Sequence, residues 1–109
     1  MRYPFGILQR WRNVLAKSLN PFPEFTGWPY TFVVTPELAA SITVGLSSTD
    51  HLFSVTIKQT PAGGSEQTDT HYSYNGWSGT FTNLDPGSMF SISTPNTNST
   101  LTINGYRIV

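Results

Sequence analysis

Residues 81–92 read FTNLDPGSMFSI, a pattern of two strands joined by a tight corner. Apolar side chains lead into the Pro86-Gly87 dipeptide, and after it Phe90 and Ile92 alternate with serine. Proline fixes φ and glycine accepts a positive φ, so the dipeptide favours a turn. The stretch therefore predicts a strand, a corner and a second strand.

The chain from residue 30 onward consists of similar short segments separated by turn residues. They are predicted as strands over residues 30–34, 41–46, 52–58, 69–74, 77–82, 89–93, 100–103 and 106–109. Alternation places the following side chains inside: Ile42, Val44, Leu46, Phe53, Val55 and Ile57. Asn75-Gly76 is the strongest hairpin signal, and the last two strands flank Asn104-Gly105. Together they predict an all-β fold, a small antiparallel β-sandwich of the jelly-roll or fibronectin/Ig-like type.

The corner also carries a family resemblance. Residues 84–92, LDPGSMFSI, resemble the Leu-x-Pro-Gly-x-x-Tyr-x-Ile signature of fibronectin type III and related β-sandwiches. Phe90 stands where those families usually have the corner tyrosine, so the hydroxyl that would tie the corner down is missing. The resemblance implies a sandwich architecture.

The length of 109 residues predicts one domain, and the composition indicates that packing stabilises it. The chain has no cysteine, which excludes a disulfide framework and thiolate metal sites. Serine and threonine together number 27, whereas only 11% of the residues are charged. Surfaces that display hydroxyls instead of ion pairs are common on extracellular and virion proteins.

The formal net charge of zero conceals a basic arm on an acidic body. Four of the six basic residues lie in the first 17 positions, where no acidic residue occurs: Arg2, Arg10, Arg12 and Lys17. From residue 18 onward two basic residues oppose six acidic ones, a formal charge of −4. A nucleic-acid ligand is not expected, because the body is acidic.

The arm has the apolar spacing of a short amphipathic helix that ends at Asn20-Pro21. Its apolar stripe consists of Ile7, Leu8, Trp11, Val14, Leu15 and Leu19. A helix of about 13 residues is marginal alone in water, so something must cover the stripe. The cover is either the chain's own sandwich or a partner, which includes a second copy. The stripe is short for a membrane-surface helix, and no segment reads as a secretory signal or a transmembrane span.

Residues 21–30 contain three prolines, one glycine and four aromatic residues, which predicts an extended linker. The aromatic side chains Phe22, Phe25 and Trp28 either pin the arm to the body or form an exposed contact surface. Two parts follow: residues 1–29, the arm and linker, and residues 30–109, the β-sandwich domain. We expect residues 1–29 to bind a protein partner or another copy of the chain.

Catalytic and metal-binding patterns are weak. Asp69 and His71 lie two apart on a predicted strand and Asp50-His51 lies at a turn, but no Gly-x-Ser-x-Gly elbow accompanies them. A closed zinc site is not expected from two histidines and no cysteine. The prediction is a protein that is not an enzyme and holds no cofactor or metal.

One group of residues has the composition of a carbohydrate-binding site. Tyr72, Tyr74, Asn75 and Trp77 combine aromatic rings with an amide, as a platform for stacking a surface glycan requires. Alternatively, one of these faces belongs to the core, and alternation through Gly79 to Phe81 favours an inward Trp77.

These features predict a structural or assembly module. A virion protein of the bacteriophage tail, fibre or head-decoration type accounts for hydroxyl-rich surfaces, the absence of an export signal and a terminal docking arm. The alternative is a carbohydrate-binding or adhesion module of an extracellular protein.

Overall fold

The computed structural model describes residues 20–49, 52–96 and 98–109. The predicted helix of the arm and the Asp50-His51 pair lie outside the described residues. Within these ranges the chain forms eight strands. They are β1 (Tyr30–Val33), β2 (Ser41–Ser47), β3 (Phe53–Thr60), β4 (Gln67–Ser73), β5 (Gly76–Thr82), β6 (Met89–Ser93), β7 (Thr100–Ile103) and β8 (Tyr106–Arg107).

The strands form two four-stranded sheets in which the neighbours run antiparallel. The first sheet has the order β1-β6-β3-β4 and the second has the order β5-β2-β7-β8. Only β3–β4 and β7–β8 are hairpins between consecutive strands; every other connection between the described strands passes from one sheet to the other. The prediction of an all-β, antiparallel fold is confirmed.

One apolar cluster lies between the sheets. Its fully buried members come from both: Val55, Ile57, Phe90 and Ile92 from the first sheet, and Ile42, Val44, Leu101 and Ile103 from the second. The rings of Phe81 and Phe90 meet across the sheets with centroids 5.1 Å apart. Burying a side chain of this size stabilises a fold by about 1.5–3 kcal/mol. The six side chains of β2 and β3 that alternation placed inside are all buried.

The corner at Pro86-Gly87 joins β5 of the second sheet to β6 of the first, as predicted. Ser88 donates its backbone N–H to the carbonyl of Asp85 at 3.1 Å, and Gly87 has φ 87°, which is the pattern of a type II turn. The corner is also tied to the residue after β1. Gly87 N–H donates to the Val34 carbonyl at 2.7 Å, and Val34 N–H donates to the Ser88 carbonyl at 2.8 Å. These backbone bonds hold the corner, although Phe90 has no hydroxyl.

The two Asn-Gly sequences behave differently. Asn104 (φ 50°) and Gly105 (φ 83°) both have the positive φ of a type I′ turn, and they join the paired strands β7 and β8. The predicted hairpin at Asn75-Gly76 is wrong, because β4 and β5 lie in different sheets. Asn75 has φ 65°, as the signal requires, but β5 pairs with β2 over seven residues instead. That pairing turns Phe81 and Trp77 toward the apolar cluster.

Candidate functional site

The linker packs on the body through Phe22. This side chain is 8% exposed and belongs to the buried cluster. Its ring meets Phe32 of β1 at 5.3 Å and Tyr106 of β8 at 5.9 Å, both edge to face. Because β1 and β8 are the edge strands of the two sheets, Phe22 closes the apolar layer on this side.

A second contact holds the linker in place. The Tyr30 hydroxyl donates to the Pro23 carbonyl at 2.6 Å, and burial raises the pKa of this phenol. A raised pKa keeps the hydroxyl protonated, which is the state that donates the hydrogen bond. The chain therefore leaves the body at a fixed position next to Phe22.

Phe25 and Trp28 are half-buried against the same cluster. Their rings meet edge to face at 5.0 Å, and Phe25 stacks on Tyr30 at 6.1 Å. Each keeps part of its surface in solvent. Partner docking by Phe22, Phe25 and Trp28 stays a prediction. The other five predicted docking residues, Ile7, Leu8, Trp11, Val14 and Leu15, lie outside the described residues.

The two tyrosines of the predicted glycan platform are exposed, and Tyr72 lies on the outer side of the first sheet. Tyr72 is opposite Ser54 in the β3–β4 register and is 75% exposed, and Tyr74 is 69% exposed. Leu52, immediately before β3, is 56% exposed. Tyr72, Tyr74 and Leu52 are called the tyrosine face below.

A shallow depression of about 220 Å³ adjoins the tyrosine face. It is lined by Leu52, Phe53, Ser54, Tyr72, Pro95 and Asn96. The lining combines aromatic and other apolar carbons with the hydroxyls of Ser54 and Tyr72 and the amide of Asn96. This is the chemistry that a sugar ring needs, because its C–H groups pack on aromatic faces while its hydroxyls bond to polar groups.

Trp77 does not join the tyrosine face. Its ring stacks on His71 of β4 with centroids 4.8 Å apart and planes at 22°. His71 is opposite the buried Val55, so the histidine and Tyr72 leave β4 on opposite faces. Asn75 is exposed in the connection between β4 and β5. Tyr72 and Tyr74 are both exposed, whereas Trp77 lies on the inner side.

The histidine–tryptophan stack closes the apolar layer on the side opposite Phe22. β4 and β5 are the edge strands there, and Trp77 is half-buried against the cluster. Its ring lies over Gly79, where an added Cβ would come within 2.6 Å of the indole. The indole therefore requires glycine at position 79.

Sequence analysis missed the hydroxyl-lined outer faces of the two sheets. On the first sheet a depression of about 430 Å³ is lined by Pro29, Thr56, Lys58, Ser91 and Ser93. On the second sheet a depression of about 350 Å³ is lined by Gly45, Leu46, Ser47, Gly76, Trp77, Ser78, Thr100 and Thr102. Serine and threonine alternate along single strands, but only the register between strands places them side by side.

The described part of the chain has neither a metal-binding cluster nor a membrane-spanning helix. No three side chains of the types that hold metal ions come together within residues 20–49, 52–96 and 98–109. Among the same residues no helix has the length and apolarity needed to cross a bilayer.

Comparison of the chain with family models, with curated proteins and with solved structures finds no match in any of the three.

Proposed function

We propose that this protein is a non-enzymatic structural module that assembles through residues 1–29, as a virion component of the bacteriophage tail, fibre or head-decoration type would. The observation that carries the proposal is the position of Phe22 between the edge strands β1 and β8. A linker that swung freely would present the arm in every direction. A linker fixed by a buried ring attaches the arm to the body at one constant point, which favours a repeating assembly.

Charge supports another copy of the chain as the partner. Residues 1–17 carry a formal charge of +4, and the rest of the chain carries −4. An arm is therefore attracted to the body of a neighbouring copy, which also offers exposed apolar side chains at Val33 and Met89. These two lie side by side in the β1–β6 pair.

The proposed architecture is a β-sandwich of the fibronectin/Ig-like type. In Ig domains the second strand pairs with the fifth and the third with the sixth, in opposite sheets. The same pairs, β2–β5 and β3–β6, occur here, and the Pro86-Gly87 corner joins the fifth strand to the sixth. The arrangement departs from that pattern at the ends of the chain, because β1 pairs with β6 and β7 pairs with β2.

The experiment compares two full-length variants in the predicted helix. Trp11→Asp places a charge in the apolar stripe, whereas Gln9→Ala changes the polar face. The Trp11 variant should elute as a smaller particle than the parent protein in gel filtration, and the Gln9 variant should elute with the parent. Equal elution of all three would contradict docking through the arm.

A second candidate function is carbohydrate binding at the tyrosine face, favoured by the 75% exposure of Tyr72 beside the depression with Ser54 and Asn96. Tyr72→Ala should abolish binding to a neutral oligosaccharide array, and Tyr72→Phe should retain it because the ring remains. Stability should change by less than about 0.5 kcal/mol in both variants, since the side chain is exposed. An array to which the parent protein does not bind would contradict this function.

A further inference from the structure

We propose that the free edge of β4 pairs with β4 of a second copy of the chain. The two strands run antiparallel about a two-fold axis at Thr70, and the two first sheets become one continuous eight-stranded sheet. This surface is separate from the arm. It adds a second interface to the proposed function and does not depend on it.

The edge of β4 is long and regular. Among the described strands β4 pairs with β3 alone, and the register runs without interruption from Gln67, opposite Gln59, to Ser73, opposite Phe53. Edge strands are commonly protected by proline, lysine, an inward-pointing charged residue, a bulge or a very short length. β4 has no proline, no lysine and no bulge over its seven residues, and its one inward-facing charged residue is Asp69, opposite the buried Ile57.

The other edges are less suited to pairing. β1 has four residues and β8 has two, which limits the number of hydrogen bonds that a partner strand can form. β5 has seven residues, but Gly79 lies at its centre and Gly76 at its start. Glycine in a strand weakens pairing because it has no side chain to pack and loses more entropy.

Asp69 selects the register of the pair. It is two residues from His71 and lies on the same inner face, where an unpaired carboxylate would oppose a second strand. β4 contains one basic side chain, His71. Only the register centred on Thr70 places Asp69 opposite His71 of the second copy, and symmetry makes this contact twice. A histidine ring N–H can donate a hydrogen bond to a carboxylate directly across a strand pair, and a polar pair of this kind stabilises the pairing.

The same register also gives the longest pairing. With Thr70 at the axis, all seven residues of β4 are paired. Gln67 is opposite Ser73 of the second copy at one end, and Ser73 is opposite Gln67 of the second copy at the other end. Thr68 comes to lie opposite Tyr72 of the second copy, which covers part of a ring that is 75% exposed in the single chain. The contact between Asp69 and His71 and the length of the pairing therefore select the same register independently.

His71 is already held in position for this contact. Its ring stacks on Trp77 at 4.8 Å and is half-buried, so little conformational freedom is lost when the second strand arrives. A side chain that is fixed before binding reduces the entropy cost of association.

The chain has no cysteine, so a single introduced cysteine reports its own symmetric contact. In the proposed register the two copies of residue 70 are opposite each other, with Cα atoms about 4.5–5.5 Å apart, within disulfide range. The two copies of residue 68 are four positions apart along the strands, about 13 Å, which is too far. Full-length Thr70→Cys should therefore form a disulfide-linked dimer under mild oxidation, and full-length Thr68→Cys should not.

Two further crosslinking measurements make the experiment specific. A mixture of Thr68→Cys and Tyr72→Cys should give the mixed dimer, because these positions are opposite each other. Thr31→Cys on β1, the other edge of the first sheet, is the matched control and should crosslink on the order of tenfold more slowly than Thr70→Cys, since only collisions bring it together. Equal rates for positions 70 and 31, or a Thr68→Cys dimer formed as fast as the Thr70→Cys dimer, would overturn the proposal.

A last comparison separates this interface from the arm. Adding Asp69→Lys to Thr70→Cys should abolish the crosslink and leave assembly through the arm intact. Adding Trp11→Asp to Thr70→Cys should abolish assembly through the arm and leave the crosslink intact. Loss of the crosslink with Trp11→Asp would show that β4 meets β4 only as a consequence of the arm contact, and would overturn an independent edge interface.

Discussion

The ring of Phe22 lies edge-on to the ring of Tyr106, with centroids 5.9 Å apart and planes at 63°. The contact joins the linker to the last strand of the chain. It closes the apolar layer where the two sheets would otherwise be open, and it fixes the point from which the arm leaves the body.

Replacing Phe22 with alanine should therefore destabilise the body. A buried phenylalanine that is truncated to alanine typically costs about 3–5 kcal/mol, and we expect the lower end because Phe22 is at the margin of the cluster. Chemical denaturation of the full chain measures the change.

Phe25→Ala is the matched control for that variant. Phe25 belongs to the same linker but is only half-buried, so its loss should be less than half as large. An equal loss in the two variants would show that Phe22 does not close the layer.

Gly79→Ala should loosen the opposite side of the layer. The new methyl group would come within 2.6 Å of the Trp77 ring, which must move away from His71. Overpacking of this kind costs about 1–3 kcal/mol, and tryptophan fluorescence should shift because the stack is broken.

The control for Gly79→Ala is Gly76→Ala on the same strand. A Cβ at position 76 meets only the Leu46 carbonyl at 3.6 Å, which is an ordinary contact. This variant should keep the parent fluorescence. A Gly79 variant with the stability and spectrum of the parent would place the indole elsewhere.

Alkaline pH should destabilise the protein through Tyr30. Burial raises the pKa of this hydroxyl above its ordinary value of 10.0. A group whose pKa is higher in the folded state than in the unfolded state stabilises the fold fully at pH values below its unfolded pKa. That contribution is lost as the pH rises from about 10 through the folded pKa.

The measurement is the free energy of unfolding between pH 8 and pH 11, compared with that of Tyr30→Phe. The variant should lose about 1 kcal/mol at pH 8, because the hydrogen bond to Pro23 is gone. Its stability should then fall less steeply above pH 10. Parallel curves for the two proteins would exclude Tyr30 as the titrating group.

The strands and the corner could be predicted because both depend on local chemistry. Residues 89–93 and 100–103 form strands with the predicted bounds, and Gly87 adopts the positive φ that the corner requires. The inward alternation of β2 and β3 was also predicted, since it needs only period-two spacing.

Pairing between strands could not be predicted from the same signals. Asn75 has the φ of a hairpin turn, yet β5 pairs with β2, and this pairing packs the half-buried Phe81 and Trp77 against the apolar cluster. The same nonlocal choice separates Trp77 from Tyr72 and creates the free edge of β4. A sequence pattern predicts which face a side chain is on within a strand, but it does not predict the neighbouring strand.

The most direct test of assembly through residues 1–29 is light scattering of the full chain and of residues 20–109 at equal molar concentration. The shorter chain keeps Phe22 and should unfold cooperatively. The full chain should contain at least about twice as many copies per particle as the shorter chain, because one of its interfaces requires the arm. The same number of copies per particle in both proteins would contradict the account.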